Sequence, residues 1–153
     1  MLEIRPLARD QIEAVVAMWK RSREHAQPWL EARMAWGHED DLRHFRDVVA
    51  REFEVWIAVE GGAIVGLLAL GECRVDQLYV DPPHQNRGIG TALLDFAKRR
   101  SPRGLRLFTH QRNTGARAFY EARGLRAVAF GTSPPPESEP DVEYAWSPVR
   151  PGG

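Results

Sequence analysis

A glycine-bearing turn between an extended run and an amphipathic helix constrains this chain more than any other stretch. The run is Val75-Asp76-Gln77-Leu78-Tyr79-Val80-Asp81 and the turn is Gln85-Asn86-Arg87-Gly88-Ile89-Gly90. The helix opens with Thr91-Ala92-Leu93-Leu94-Asp95-Phe96-Ala97-Lys98. Strand, turn and helix in that order make an anion site. The first helical N–H groups lack partners inside the helix, and the macrodipole places partial positive charge on them. Glycine lets a ligand approach the main chain where a Cβ would collide. A phosphate compound is the expected guest. The dinucleotide fingerprint Gly-x-Gly-x-x-Gly lacks its third glycine here, and no Gly-x-x-x-x-Gly-Lys-Ser/Thr run exists.

Composition narrows the partners. Of 153 residues, 43% are apolar and 27% charged, and the formal net charge is zero. That supports one core and gives no basic excess of the kind that nucleic acid or an anionic membrane selects, so neither is expected. The single cysteine, Cys73, rules out an intrachain disulfide and a cysteine zinc site. The five histidines, His25, His38, His44, His84 and His110, show no metal-ligand spacing, so no metal is expected. The first residues lack the apolar stretch of a signal peptide. The apolar run from Ala63 to Leu70 is far short of the ~20 residues a membrane span needs. A cytoplasmic setting is the expectation.

Taken in order, Leu2 to Leu7 alternates and reads as a strand. Asp10 with Glu13 is a capping-box pattern for a helix with Ile12, Val15, Val16 and Trp19 on one face. Pro28 breaks any long helix, so Arg23 to Gly37 reads as a packed irregular connection or as a wall facing a substrate. A helix with Leu42, Phe45 and Val49 on one face follows Gly37. Glu54–Glu60 and Ala63–Glu72 form a hairpin about Gly61-Gly62, and Val75–Asp81 continues the meander. Leu105–Thr109 is reached by a crossover helix and so lies parallel to the strand before it. Asn113 caps the next helix, whose inner face carries Ala116, Phe119 and Tyr120, and Gly124 ends it. Leu125–Phe130 and Val142–Trp146 are the last strands. The expected fold is α/β, a mixed and mostly antiparallel sheet with helices on both faces. One domain over residues 1–147 and a flexible tail over 148–153 are expected.

The hexapeptide resembles Gln/Arg-x-x-Gly-x-Gly/Ala, the pyrophosphate loop of the GNAT superfamily of acyl-CoA-dependent N-acyltransferases. Leu78-Tyr79-Val80-Asp81-Pro82 resembles the Leu-x-Val-x-Pro that precedes that loop. Asn113-x-x-Ala116-Arg117-Ala118-Phe119-Tyr120-Glu121-Ala122-Arg123-Gly124-Leu125 resembles the family's Asn-x-x-Ala-x-x-x-Tyr-x-x-x-Gly-Phe, with Leu125 in place of phenylalanine. The closing Glu139-Pro140-Asp141-Val142-x-Tyr144-x-Trp146 is similar to a branch of small bacterial members. The motifs come in the family's order and span nearly the whole chain, and the element order also matches the GNAT fold.

The resemblance implies acetyl-CoA as cosubstrate and transfer of its acetyl group to a primary amine by direct attack. It implies that the backbone of Gln85, Asn86, Arg87, Gly88, Ile89, Gly90 and Thr91 holds the pyrophosphate. Leu78, Tyr79 and Val80 would pair with the pantetheine arm, which needs the flanking strands to splay apart. The Leu78 N–H would stabilise the oxyanion. Asn113 would bond the arm, and Tyr120 would protonate the thiolate. No motif fixes the base. Glu72 and Asp76 rank level, with Glu143 and His110 also in reach. For the acceptor, Trp29, Trp36, Tyr144 and Trp146 offer aromatic surface, and Glu31, Glu39 and Asp40 would attract an amine. The acceptor is a small-molecule or protein amine. An exposed edge strand would permit a homodimer. A non-catalytic acyl-CoA-binding module is the competing reading, since it would keep the glycine loop and need neither base nor acid.

Overall fold

A computed structural model describes residues 1–148 of the chain. The tail expected over 148–153 therefore lies, apart from Pro148, outside the described residues. Seven strands form one sheet in the order β1-β2-β3-β4-β5-β7-β6. They are β1 (Glu3–Pro6), β2 (Glu54–Glu60), β3 (Ala63–Gly71), β4 (Arg74–Val80), β5 (Leu105–His110), β6 (Arg126–Thr132) and β7 (Pro140–Trp146). All neighbours are antiparallel except β4 and β5, which are parallel because α5 (Ile89–Arg99) crosses over between them. Gly61 and Gly62 both take positive φ, 58° and 80°, and close the two-residue β2–β3 hairpin.

Strand alternation builds two cores, one on each face of the sheet. On the first face, Val15, Val16 and Trp19 of α1 (Ile12–Ala26) and Leu42 of α3 (His38–His44) meet Ile57, Val59, Leu67 and Ala69. On the second face, Leu93, Leu94 and Ala97 of α5 and Tyr120 of α6 (Thr114–Ala122) meet Leu68, Val75, Leu105, Leu107 and Val142. Successive residues such as Leu67 and Leu68 thus serve opposite cores. The first core's helices cover β2 to β4. Over β5, β7 and β6 that face is open.

Two local expectations are corrected. Arg23–Gly37 is not irregular: α1 runs to Ala26, and α2 (Pro28–Met34) follows with Pro28 at its first position, where the missing N–H costs nothing. A buried ion cluster holds this corner. Arg23 bonds Glu31 of α2 at 3.2 and 3.3 Å and Asp41 of α3 at 2.8 Å, and its guanidinium lies 4.1 Å from the Trp19 ring centre. The Asp10–Glu13 capping box does not form either. A 3-10 turn, Arg9–Gln11, leads into α1, and Gln11 accepts from the Ala8 N–H at 2.9 Å. Helix α3 continues through a π-helical turn, Phe45–Val49, into α4 (Ala50–Glu52).

Gly66 sets the seat of α5. A Cβ there would lie 2.9 Å from Leu93 Cδ1, 3.2 Å from the Ala58 Cβ and 3.3 Å from Ile89 Cγ2. The helix N-terminus is thus held against the sheet by the absence of one methyl group. Gly66→Val should destabilise the fold by about 1–3 kcal/mol, the usual cost of overpacking, measured by urea unfolding. Arg23→Ala strands the buried Asp41 carboxylate and leaves Glu31 only Lys20, at 3.3 Å, and should cost about 3–5 kcal/mol, read in the same assay.

Candidate active site

Strands β4 and β5 touch only at their beginnings. Arg74 and Arg106 are paired, and the Arg106 N–H donates to the Cys73 carbonyl at 2.9 Å. Beyond that the strands splay. Counting forward in parallel register, Leu78 stands level with His110 across the gap. The exit from β4 is pinned by the Asp81 N–H to the Val65 carbonyl at 2.9 Å and by Gln85 Nε2 to the Val80 carbonyl at 3.1 Å. Asn86 and Gly88 then take positive φ, 66° and 85°. The first bond inside α5 runs from the Ala92 N–H to the Gly88 carbonyl at 3.0 Å, so the amides of Ile89, Gly90 and Thr91 precede the ladder.

A cleft of about 540 Å³ opens at this helix end, lined by Leu78 to Val80, Gln85, Asn86, Gly88, Gly90, Thr91, Asn113 and Tyr120. Ile89 is buried in the core and the Arg87 side chain lies 3.8 Å from Glu60, and neither residue lines the cleft. Gly90 has a second reason to be glycine. A Cβ would meet the Phe119 ring at 3.2 Å, so the residue packs α5 against α6. Gly88, with open space around it, is the position held by backbone conformation.

Three cationic or titratable side chains in this cleft escaped the sequence reading: His25, Arg112 and Arg123. Arg123 donates to Thr91 Oγ1 at 2.7 Å and lies 3.9 Å from the Phe119 ring centre. Its position four residues after Phe119 on one helix face was the available signal. Asn113 Oδ1 caps α6 by accepting the Ala116 N–H at 3.1 Å, which leaves the amide nitrogen for a ligand acceptor.

A larger cleft of about 1120 Å³ lies on the other side of the splay. Leu78, Tyr79, Asn113, Ala116 and Tyr120 line both clefts. Tyr120 is 7% exposed, its ring 5.3 Å from Phe119 and 6.0 Å from Tyr144. Burial, reinforced by Tyr79, pushes its phenol well above the usual tyrosine range. Burial does the same to Tyr79, against the pull of Arg23.

The carboxylates separate. Glu72, ranked level with Asp76 from sequence, sits in the β3–β4 turn, 86% exposed and 3.4 Å from Arg103. It lies about 20 Å along the chain from Leu78 at ~3.3 Å per residue, and lines neither cleft. Asp76 lines the larger cleft, bonded to Arg74 at 3.4 Å and Gln77 at 3.2 Å. His110 lines it too, with Nε2 3.8 Å from Glu137 Oε1 and Nδ1 buried without a partner. Asp141 lies across from His110, its carboxyl raised by burial. Glu143 is bonded to Arg106 at 3.3 Å.

The aromatic wall is corrected in part. Trp36 lines the larger cleft. Tyr144 does not: it is 0% exposed in the second core, and its hydroxyl bonds Arg117 and Glu121 of α6. Alternation along β7 sends it to the helix side with Val142. Trp146 packs against that same core, 5.1 Å from Lys98 Nζ. Trp29 donates to Glu139 at 3.2 Å under the Arg112 guanidinium and lines neither cleft. Of the three carboxylates expected to draw an amine, Glu31 is spent on Arg23 and Lys20, and Glu39 lines neither cleft. Asp40 lines the larger cleft, and its bond to the Gly37 N–H lowers its pKa. Among the described residues no group of three or more His, Cys, Asp and Glu side chains is placed to hold a metal ion.

Comparison with known proteins agrees with this geometry. Residues 51–125 match the family described as acetyltransferase (GNAT) domain. The chain is 30% identical over 126 residues to the peptidyl-lysine N-acetyltransferase YiaC of Escherichia coli, covering 82% of this chain and 84% of that protein. The solution structure of apo YjaB from Escherichia coli superposes with a TM-score of 0.77 at 23% identity, over 97% of this chain and 99% of that one. The PaiA N-acetyltransferase of Thermoplasma acidophilum, solved with coenzyme A, gives 0.66 at 18% identity over 94% and 98%. The chain belongs to the GNAT superfamily and is an acetyl-CoA-dependent N-acetyltransferase.

Proposed function

We propose that the protein acetylates lysine side chains of polypeptides by direct attack of the amine on acetyl-CoA in a ternary complex. The observation that carries this reading is the shared wall: Leu78, Tyr79, Asn113, Ala116 and Tyr120 border both clefts, so a thioester entering from one meets an amine entering from the other. The relative YiaC is named a peptidyl-lysine acetyltransferase, and the larger cleft is rich in carboxylates suited to a cationic acceptor. Among the described residues no helix is long and apolar enough to cross a membrane.

In this scheme the smaller cleft holds the pyrophosphate on the free amides of α5, with Arg112 and Arg123 alongside. The pantetheine arm lies along β4 in the splay, and the Leu78 N–H meets the developing oxyanion. A lysine amine has a pKa near ~10.4, so at pH 7 only about one in a few thousand is neutral. Asp76 or His110, both in the acceptor cleft, takes the proton. Tyr120 protonates the departing thiolate.

Tyr120→Phe should lower kcat toward the small end of the ~100- to 10,000-fold range of acid–base groups, because a thiol is already a fair leaving group. Unchanged kcat with the chemical step rate-limiting would remove that role. The pH profile adds a check. Because burial raises the phenol above its ordinary value of about 10, Tyr120 stays protonated through neutral and mildly alkaline pH. Activity should rise as the amine loses its proton and show no Tyr120-dependent fall below about pH 10. A wild-type fall in that range that vanishes in Tyr120→Phe would contradict this.

Cofactor binding is tested by thermal unfolding. Acetyl-CoA at about 100 times its Kd should add about 2.7 kcal/mol, a shift of roughly 5–10 °C for a domain of this size. Gly88→Val, which forces a branched residue into positive φ, should abolish that shift. A shift that survives the substitution would place the pyrophosphate elsewhere.

A further inference from the structure

We infer that the acceptor is a polypeptide segment with a large apolar side chain one or two residues from its lysine, and that Phe108 receives that side chain. This rests on the acetyl-transfer reading and names the substrate class of the same site. Phe108 is 55% exposed in the middle of β5, between Leu107, buried in the second core, and Thr109. It projects onto the open face of the sheet and lines the acceptor cleft. Phe130, the other strongly exposed ring, has the Arg117 guanidinium 5.7 Å from its centre. Among the described residues no ring or cation covers Phe108.

The surroundings form a shelf. Glu143 of β7 lies directly across from Phe108, and Ala129 of β6 lies across from Glu143. Arg106 ties down Glu143 at 3.3 Å, so that carboxylate does not rise over the ring. Ala129 and Gly131 are too small to wall the shelf. His110, level with Leu78 in the parallel register, lies two residues along β5, about 7 Å from Phe108. A chain running along β5 with its lysine at the thioester would therefore bring a neighbouring residue over the ring.

Volume and charge select the same occupant. At about 1120 Å³ the cleft exceeds the usual range for a small-ligand pocket, ~300–1,000 Å³. Its arginines Arg23, Arg43 and Arg74 are each tied to a carboxylate, Asp41, Asp40 and Asp76. Asp47 and Asp141, which also line it, have no guanidinium partner among the described residues. The surplus is negative, which suits a lysine-bearing segment, while the bare ring suits an apolar neighbour.

The test measures kcat/KM by thiol release from acetyl-CoA with blocked-terminus lysine peptides differing only in leucine or alanine beside the lysine. Nα-acetyl-lysine methylamide serves as the single-residue acceptor. The wild type should prefer the leucine peptides by about tenfold through KM, as roughly 1.4 kcal/mol of apolar contact would give. Phe108→Ser should bring that ratio to about one, and Phe108→Leu should retain most of it. The acetyl-CoA thermal shift confirms that each variant is folded. Equal wild-type rates on leucine and alanine peptides, or a preference that survives Phe108→Ser, would overturn the inference while leaving acetyl transfer intact. So would a dimer that Phe108→Ser dissociates, since a second copy would then cover the ring. No thiol release with any lysine acceptor would remove the acetyl-transfer reading itself.

Discussion

The structure depends on a gap. Strands β4 and β5 pair at one position and then part, yet neither is loose. β4 is held along its length by β3, from Arg74 opposite Gly71 to Val80 opposite Gly66. β5 is held by β7 at every residue from Leu105 to His110. Each strand is thus anchored from its outer side, and the main-chain groups facing the gap are left for something other than a strand. Backbone N–H and C=O groups need partners, and in an open cleft water supplies them until a ligand does. An amide-bearing arm of extended shape is the natural replacement. The interruption of one ladder also joins the two clefts, which a continuous sheet would keep apart.

The helices divide around that gap. On one face α1, α2 and α3 are clamped by Arg23, which reaches Glu31 and Asp41 from a single buried guanidinium. Such a cluster adds little net stability over apolar packing, but it fixes where its members sit. Here it fixes the corner of the larger cleft that holds Trp36 and Asp41. On the other face Gly66 lets α5 approach the sheet, and Gly90 lets Phe119 approach α5. Both glycines act through packing, and together they position the helix N-terminus beside α6, whose Asn113 and Tyr120 complete the joint.

Much of this was legible in the chain. The glycine turn, the Gly61-Gly62 hairpin, the Asn113 cap and the helix faces rest on local chemistry, and a local window holds all the information they need. Side-chain destinations set by long-range register were less legible. Tyr144 and Glu143 are neighbours on β7, yet one faces the helices and the other the open shelf. Which is which depends on the alignment of β7 between β5 and β6, and that alignment carries a bulge at Val128. Glu72 and Asp76 are four residues apart and looked equivalent, because sequence does not mark where the splay begins. Trp29 looked like a binding aromatic, but its indole was already engaged by Glu139, 110 positions away. Pro28 does break the helix, α1 ending at Ala26, but the sequence did not show that the same proline opens a second helix, α2.

The joint also has a chemical direction. Tyr79 and Tyr120 both border it, and burial holds both phenols protonated. Neither can accept the proton an attacking ammonium must lose. Asp76 and His110 line the larger cleft and are absent from the smaller one, where arginines, helix amides and the exposed His25 collect. With Asp76 or His110 as the proposed base, a proton arriving with the amine would leave on the side of the larger cleft, while the thiolate forms against a hydroxyl that still carries its own. The two transfers would use different groups and need no exchange between them. What would limit the reaction is then the fraction of amine held neutral and in line with the Leu78 amide. That fraction depends on how the rest of the acceptor is gripped, which makes the open shelf beside the gap part of the rate as well as of the recognition.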